Sequence, residues 1–274
     1  MLRVNADNLT TSPLPAREVV MHTLVRRTLD VVAVRDISPN MRRITLAGSD
    51  LAGFVSHGPD DHVKIFFPDP LTPGDTVARD FTPREFRAGV GPHHAQLDID
   101  FVLHGDTAPA TAWATSATIG STLTIGGPRG SKLVPEGLES AVLIADPTSL
   151  PALLRWIERI PDDVELRAIA VVPDDSYRLY VADSPRAATA EWLWIVEPNA
   201  DARAEAMLNV LTILELPHNG FVWAAGEATS LVAVRRYLRR EIGFDKSRAI
   251  VDGYWRRGIS NLDHHAPLDP TDPD

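Results

Sequence analysis

The chain of 274 residues contains no cysteine. That absence excludes disulfides, thiolate nucleophiles, and iron–sulfur or zinc sites built on thiolates. Any electrons the protein handles must travel through a bound organic cofactor or a metal held by other ligands. No apolar run approaches the roughly 18 residues needed to span a bilayer. A cationic surplus is missing too. The formal charge is −10, which argues against nucleic acid as a partner, because a phosphate backbone demands a basic surface. Gly-x-Gly-x-x-Gly and Gly-x-x-x-x-Gly-Lys-Ser/Thr are both absent, so neither a Rossmann fingerprint nor a P-loop is available. Residues 1–18 lack an apolar core followed by a small-residue cleavage site, so no secretory signal is expected. The expected location is the cytoplasm and the expected state a monomer. Asp60-Asp61-His62, His93-His94 and Asp263-His264-His265 lack a second cluster to complete a ligand set, so no metal site is expected.

What is present falls into two halves. Between residues 24 and 134, short β-type runs at 24–35, 42–46, 62–67, 79–86, 96–103 and 122–125 are separated by Gly, Pro and Asp clusters. Such spacing predicts a small antiparallel barrel or sandwich. From Ala141 the pattern changes to alternation of strands and helices. An apolar run at 141–145 precedes Leu150, Leu153, Leu154 and Ile157, which lie at i, i+3, i+4 and i+7 on one helical face. Strands follow at 164–172, 192–196, 221–225 and 250–254, with helices around Met207–Leu214 and Leu231–Leu238 between them. This is the pattern of a doubly wound parallel sheet. The expected organisation is a flexible lead at 1–20, a barrel domain at 21–134, an α/β domain at 141–259 and a flexible tail at 260–274. Arg235, Arg236, Arg239 and Arg240 read as a solvated face that pairs with nearby acids.

Arg79-Asp80-Phe81-Thr82-Pro83-Arg84 is the most informative stretch of the first half. On a strand, Arg79 and Phe81 share one side. A guanidinium fork matches a pyrophosphate, an aromatic ring covers a flat heterocycle, and a threonine hydroxyl bonds to its polar edge. Taken alone, the hexapeptide reads equally as an ordinary strand with surface arginines. In the second half, the helix that starts at Thr148–Pro151 offers first-turn N–H groups to a pyrophosphate, or it is simply a capped structural helix. Gly226-Glu227 sits between a strand and a helix, at the carboxyl end of the sheet, where ligands bind in such folds.

Further blocks follow the hexapeptide in order. They are residues 100–105, Pro109-Ala110-Thr111-Ala112-Trp113-Ala114, Gly127-Pro128-Arg129-Gly130-Ser131, Asp146-Pro147-Thr148-Ser149-Leu150-Pro151-Ala152, Trp223-Ala224-Ala225-Gly226-Glu227-Ala228 and Gly253-Tyr254-Trp255-Arg256-Arg257-Gly258. Together, from about Thr23 to Gly258, they resemble the siderophore-interacting protein family. The resemblance implies a ferredoxin-reductase-like architecture, an FAD-binding antiparallel β-barrel followed by an α/β doubly wound parallel-sheet NAD(P)-binding-type domain. It implies that Arg79 holds the FAD pyrophosphate, Phe81 stacks on the isoalloxazine and Thr82 contacts its polar edge. Val102 and His104 would lie along the flavin, and Thr111, Ala112 and Trp113 would close the phosphate end. Thr148, Glu227, Ala228 and Trp255 complete the implied cofactor set. Lys64, Arg129, Arg256 and Arg257 form an implied basic substrate pocket. The chain departs from the family at Phe81, where Tyr is usual, at Ala108, where Gly is usual, and at Pro147, where an acid is usual.

The function implied is FAD-dependent reduction of ferric siderophores, with NADH, NADPH or a ferredoxin as donor and the ferric siderophore as partner. No catalytic protein acid or base is required. Alternatives of other classes are a non-catalytic siderophore- or flavin-binding protein and a general NAD(P)H-dependent flavin or quinone reductase. Asp174 and Asp175, after the second α/β strand, point to NADH rather than NADPH, since an acid accepts from a ribose 2′-hydroxyl and repels a 2′-phosphate.

Overall fold

The computed structural model describes residues 12–72, 74–89, 95–103, 108–214, 216–217, 219–259, 262, 267–269 and 271–272. The first half consists of β1 (Val19–Met21), β2 (Arg26–Ser38), β3 (Met41–Ala47), β4 (Val63–Pro68), β5 (Thr76–Phe81), β6 (Pro83–Arg87), β7 (Gln96–Val102), α1 (Pro109–Ser116), β8 (Thr122–Gly126) and β9 (Gly130–Lys132). Seven of these strands form one antiparallel sheet in the order β5-β4-β8-β2-β3-β7-β6. Its two edge strands are consecutive in sequence and are separated only by Thr82. A single residue spans less than about 4 Å of chain, so the two edges must meet there and the sheet curls into a half-barrel. The strand expected over 79–86 is therefore two strands on opposite edges. Pro83 has no N–H to continue a ladder, which is the physical reason for the break. Leu29, Val31, Ile44, Leu46, Val63, Ile65, Phe67, Leu97, Ile99, Phe101, Leu123 and Ile125 fill the interior, each at most 3 % exposed.

The second half runs through β10 (Ser140–Ala145), α2 (Leu150–Arg159), β11 (Glu165–Val172), 3₁₀ turns at Asp175–Asp183, α3 (Pro185–Thr189), β12 (Glu191–Val196), α4 (Arg203–Ile213), β13 (Phe221–Glu227), α5 (Ala228–Arg236, continued by a wider turn at Tyr237–Glu241) and β14 (Ala249–Trp255). All five strands are parallel, in the order β12-β11-β10-β13-β14. Alternate residues of β10 serve opposite faces. Ala141, Leu143 and Ala145 join the core under α2, with Trp156, Phe221 and Trp223, while Val142 and Ile144 join the core under α4 and α5. Strand order reverses between β10 and β13, which places the topological switch point at the ends of those two strands.

The two sheets are fastened by α2. Arg155 is 1 % exposed. Its guanidinium donates to the carbonyls of Pro59 (3.1 Å), Ser56 (3.3 Å), Gly58 and Pro83 and to Ser56 Oγ (2.7 Å), all in the barrel half. Burial, with Arg159 and Arg84 nearby, pushes it down to about 9, against the pull of Asp61 at 3.8 Å, so it stays charged at neutral pH. Arg84 forms a bidentate pair with Glu158 at 2.9 and 2.6 Å, and Arg159 Nε donates to His57 O at 3.1 Å. Asp61 accepts from Ser131 Oγ (2.6 Å), Ser56 Oγ (2.8 Å) and Gly58 N (3.1 Å), a role in loop structure.

Described segments toward both ends are tied in. Leu14 lies in the α/β core and its N–H donates to Ser247 Oγ at 2.8 Å. Arg17 grips Asp60 at 3.0 Å and the carbonyl of Leu133 at 2.6 Å. β1 pairs with β9. At the other end, Asp269 and Asp272 pair with Arg235, Arg236 and Arg240; the face expected to be solvated is only partly so, since Arg235 is buried beneath this segment and Arg239 donates to the carbonyls of Phe244 and Ala249.

Candidate functional site

The seam at Thr82 gathers the hexapeptide. Val63 pairs with Phe81, and Ile65 with Arg79, across β4 and β5. Residues paired in this way share a face, so Arg79 and Phe81 lie on the side of the buried Val63 and Ile65, with Asp80 and Lys64 on the other. Arg79 is half-buried, and its Nη1 donates to the carbonyl of its own neighbour Ala78 at 2.7 Å. Phe81 belongs to a cluster of four rings. Its centroid lies 4.7 Å from Phe101 and 5.9 Å from Phe67, and Trp113 of α1 stands 5.8 Å from both of those rings. Thr82 is 7 % exposed, and its hydroxyl has no hydrogen-bond partner among the described residues. Thr111 is buried and Ala112 exposed in the first turn of α1, a helix that begins at Ala108 without a side-chain cap. Of the barrel positions named from sequence, Phe81 and Trp113 meet around Phe67 and Phe101. Val102 packs against the core of the α/β half. His104 lies outside the described residues.

A second feature opens at the carboxyl end of the parallel sheet. It is a shallow cleft that Asp146, Arg203, Glu227, Ser230, Trp255 and Arg257 help to line. Asp146 organises it. Oδ1 accepts from Thr148 N (2.8 Å), Thr148 Oγ1 (2.6 Å) and Ser149 N (3.2 Å), and Oδ2 accepts from Glu227 N (3.0 Å) and Trp255 Nε1 (2.8 Å). The N–H groups of Thr148 and Ser149, just ahead of α2, are therefore taken by a carboxylate of the chain itself. An Asp two and three residues ahead of Thr148 and Ser149 is an Asx-turn signal in the sequence. Gly226, at φ 150°, lets Asp146 approach, since a Cβ there would stand 2.6 Å from Asp146 Cγ.

Glu227 caps α5. Its Oε2 accepts from Ser230 N at 2.7 Å, and Oε1 accepts from the N–H of Arg257 at 3.2 Å. Burial works against its charge, but the N–H groups of Ser230 and Arg257 prevail and hold the carboxyl below its ordinary value. Ala228 is 1 % exposed and packs beneath β14 beside Gly253.

The four cations named for a basic pocket are each placed differently. Lys64 pairs with Asp80 at 2.8 Å. It also lies opposite Gly126 in the ladder, close to the turn that bears the exposed Arg129. Arg256 Nη2 donates to the carbonyl of Leu268 at 2.9 Å, and Arg257 Nη1 to Asp201 at 2.5 Å. Arg257 lines the cleft, and so does Arg203, a residue that carries no signal in the sequence. Asp174 accepts from Asn40 of the barrel half at 3.1 Å, and Asp175 pairs with Arg178. Neither lines the cleft.

Comparison with known proteins agrees with this layout. The model of the siderophore-interacting FAD-binding domain matches residues 30–76 and 72–132, and the siderophore-interacting protein model matches residues 138–258. A siderophore utilization protein from T. fusca has the same fold, with a TM-score of 0.80 and 39% identity over 91% of this chain and 100% of that one. The NADPH-dependent ferric-chelate reductase of Escherichia coli is 33% identical over 86% of this chain and 95% of its own length. The ferric vibriobactin reductase ViuB of Vibrio cholerae is 30% identical over 87% and 92%. The half-barrel that closes at Thr82, the parallel sheet behind it and these matches along both halves lead to one conclusion: the chain belongs to the siderophore-interacting protein family.

Proposed function

We propose that this protein is an FAD-dependent ferric-siderophore reductase that draws electrons from NAD(P)H. The observation that carries the reading is the convergence at the barrel seam. Arg79 spends one N–H on a neighbouring carbonyl, α1 starts uncapped, the Thr82 hydroxyl is unengaged among the described residues, and a four-ring cluster adjoins them. These groups suit a molecule that joins a pyrophosphate to a flat aromatic ring system. FAD, when bound, supplies the chemistry the chain lacks, since it accepts a hydride and releases electrons singly.

In this reading Arg79 and the start of α1 bind the pyrophosphate, Phe81 and Trp113 flank the ring system, and Thr82 orients its polar edge. Phe81 keeps the ring face of the usual Tyr without its hydroxyl. The protein need supply no acid or base for the electron transfer itself. Iron leaves because oxygen ligands hold Fe(II) much less tightly than Fe(III). Lys64, opposite Gly126 in the β4–β8 ladder, and Arg129, three residues beyond Gly126, receive an anionic ferric chelate.

Two substitutions separate the parts of this account. Arg79→Ala should lower FAD occupancy of the purified protein by an order of magnitude or more, without loss of the folded state by circular dichroism. Arg129→Ala should leave FAD content intact and raise KM for an anionic ferric chelate several-fold at low salt, with the difference shrinking as salt screens the attraction. Full flavin occupancy in Arg79→Ala would overturn the assignment of the seam. An unchanged KM in Arg129→Ala would overturn the basic patch.

A further inference from the structure

We propose that Arg203 and Arg257 form a clamp for a phosphate of the nicotinamide dinucleotide, and that Asp201 is a built-in competitor which the phosphate displaces. The proposal rests on NAD(P)H being the donor and adds which residues hold it. In folds of this kind the turn after the first parallel strand usually cradles the pyrophosphate on free N–H groups at a helix start. Here the N–H groups just ahead of α2, at Thr148 and Ser149, are already bonded to Asp146, whose charge also repels a phosphate, and Pro151 in the first turn has no N–H to offer. The anion must find its donors elsewhere along the cleft.

Arg203 and Arg257 are the cationic side chains that line it among the described residues. They come from different elements, the start of α4 and the turn after β14. Backbone carbonyls fix Arg203, with Nε on Glu197 O at 2.9 Å and Nη2 on Pro198 O at 3.3 Å. Arg257 is fixed at its main chain, where its N–H donates to Glu227, while its side chain is 51% exposed. That side chain pairs with Asp201, a residue of the same loop that leads into α4, whose own side chain is 83% exposed. The Asp201–Arg257 pair therefore ties the β12–α4 loop to the β14 turn at the mouth of the cleft. A solvent-exposed pair of this kind is weak, and a dianionic phosphate that engages both guanidinium forks outcompetes a single carboxylate. The shared chemistry is a phosphate group, and the ribose 2′-phosphate and the pyrophosphate are its two sources.

The test is calorimetric titration of the FAD-loaded, oxidised protein with NADP⁺ and with NAD⁺. Arg203→Ala and Arg257→Ala should each weaken NADP⁺ binding by about 10-fold, and Arg257→Lys, which keeps the charge without the fork, by less. Asp201→Asn should tighten NADP⁺ binding a few-fold. If NAD⁺ binding is untouched in the arginine variants, the clamp holds the 2′-phosphate; if NAD⁺ weakens in parallel, it holds the pyrophosphate. Wild-type affinity for NADP⁺ in both arginine variants overturns the clamp, and unchanged or weaker binding in Asp201→Asn overturns the competitor. The wild-type protein, reduced with one equivalent of dithionite in place of NADPH, should release Fe(II) from a ferric chelate. That arm tests the reductase reading independently, so failure of the clamp and failure of the reductase assignment are told apart.

Discussion

Asp146 and Asp252 are carboxylates with opposite fates. Asp146 collects N–H and hydroxyl donors from α2, β13 and β14 and so draws the carboxyl ends of the central strands together. Asp252 reaches solvent yet is ringed by protein on β14. Burial, then the like charge of Asp60, raises its carboxyl to about 6, against the pull of Lys132 and Arg17. An acid whose folded value is raised binds its proton more tightly when folded, so it stabilises the fold at low pH and loses that contribution as pH rises toward 6. Asp252→Asn is thus expected to melt at the wild-type temperature near pH 4 and above it at pH 7, with the gain developing between those values. Parallel melting curves for the two proteins from pH 4 to 7 would contradict this placement of Asp252.

Helix α2 illustrates how much an element can hide from its sequence. Its apolar spacing at Leu150, Leu153, Leu154 and Ile157 is legible, and so are its stop at Pro161 and the strands on either side, because burial of one face imposes a period that single residues reveal. Arg155, Glu158 and Arg159 lie outside that apolar set, and they bond across to the barrel half. No local period encodes a contact with residues nearly a hundred positions away. Arg155→Ala should cost about 3 kcal/mol, because several barrel carbonyls lose a charged donor in a buried site. Chemical denaturation would show it, and a loss below about 1 kcal/mol would mean that water replaces the guanidinium. The break at Thr82 was hidden for a similar reason, since β5 and β6 form one continuous β-type run and only the strand order separates them. α1 is built mostly from Ala and Thr with no apolar period, and the 3₁₀ segment at Asp175–Asp183 is too irregular to have one. The site residues were legible chiefly as an ordered set of short blocks. Arg203 belongs to none of them, and its place in the cleft follows only from the fold.

At the scale of the whole molecule, two sites are built on two sheets and held in fixed relation. The seam of the half-barrel presents Arg79, Phe81 and Thr82, the carboxyl end of the parallel sheet presents the cleft, and α2 with the segment around Leu14 and Arg17 joins the halves. Such a layout suits a hydride donor bound on one sheet and a cofactor bound on the other, with the electron acceptor at the outer edge. The measurement that tests this most directly is an anaerobic single turnover of the FAD-loaded protein. Addition of one equivalent of NADPH should bleach the flavin. A ferric siderophore added next, with a ferrous-specific chelator present, should restore the oxidised spectrum and yield about two ferrous ions per flavin, because a hydride carries two electrons and each Fe(III) accepts one. A flavin that stays oxidised with NADPH and with NADH, or one that bleaches but is not reoxidised by the ferric siderophore, would contradict the account.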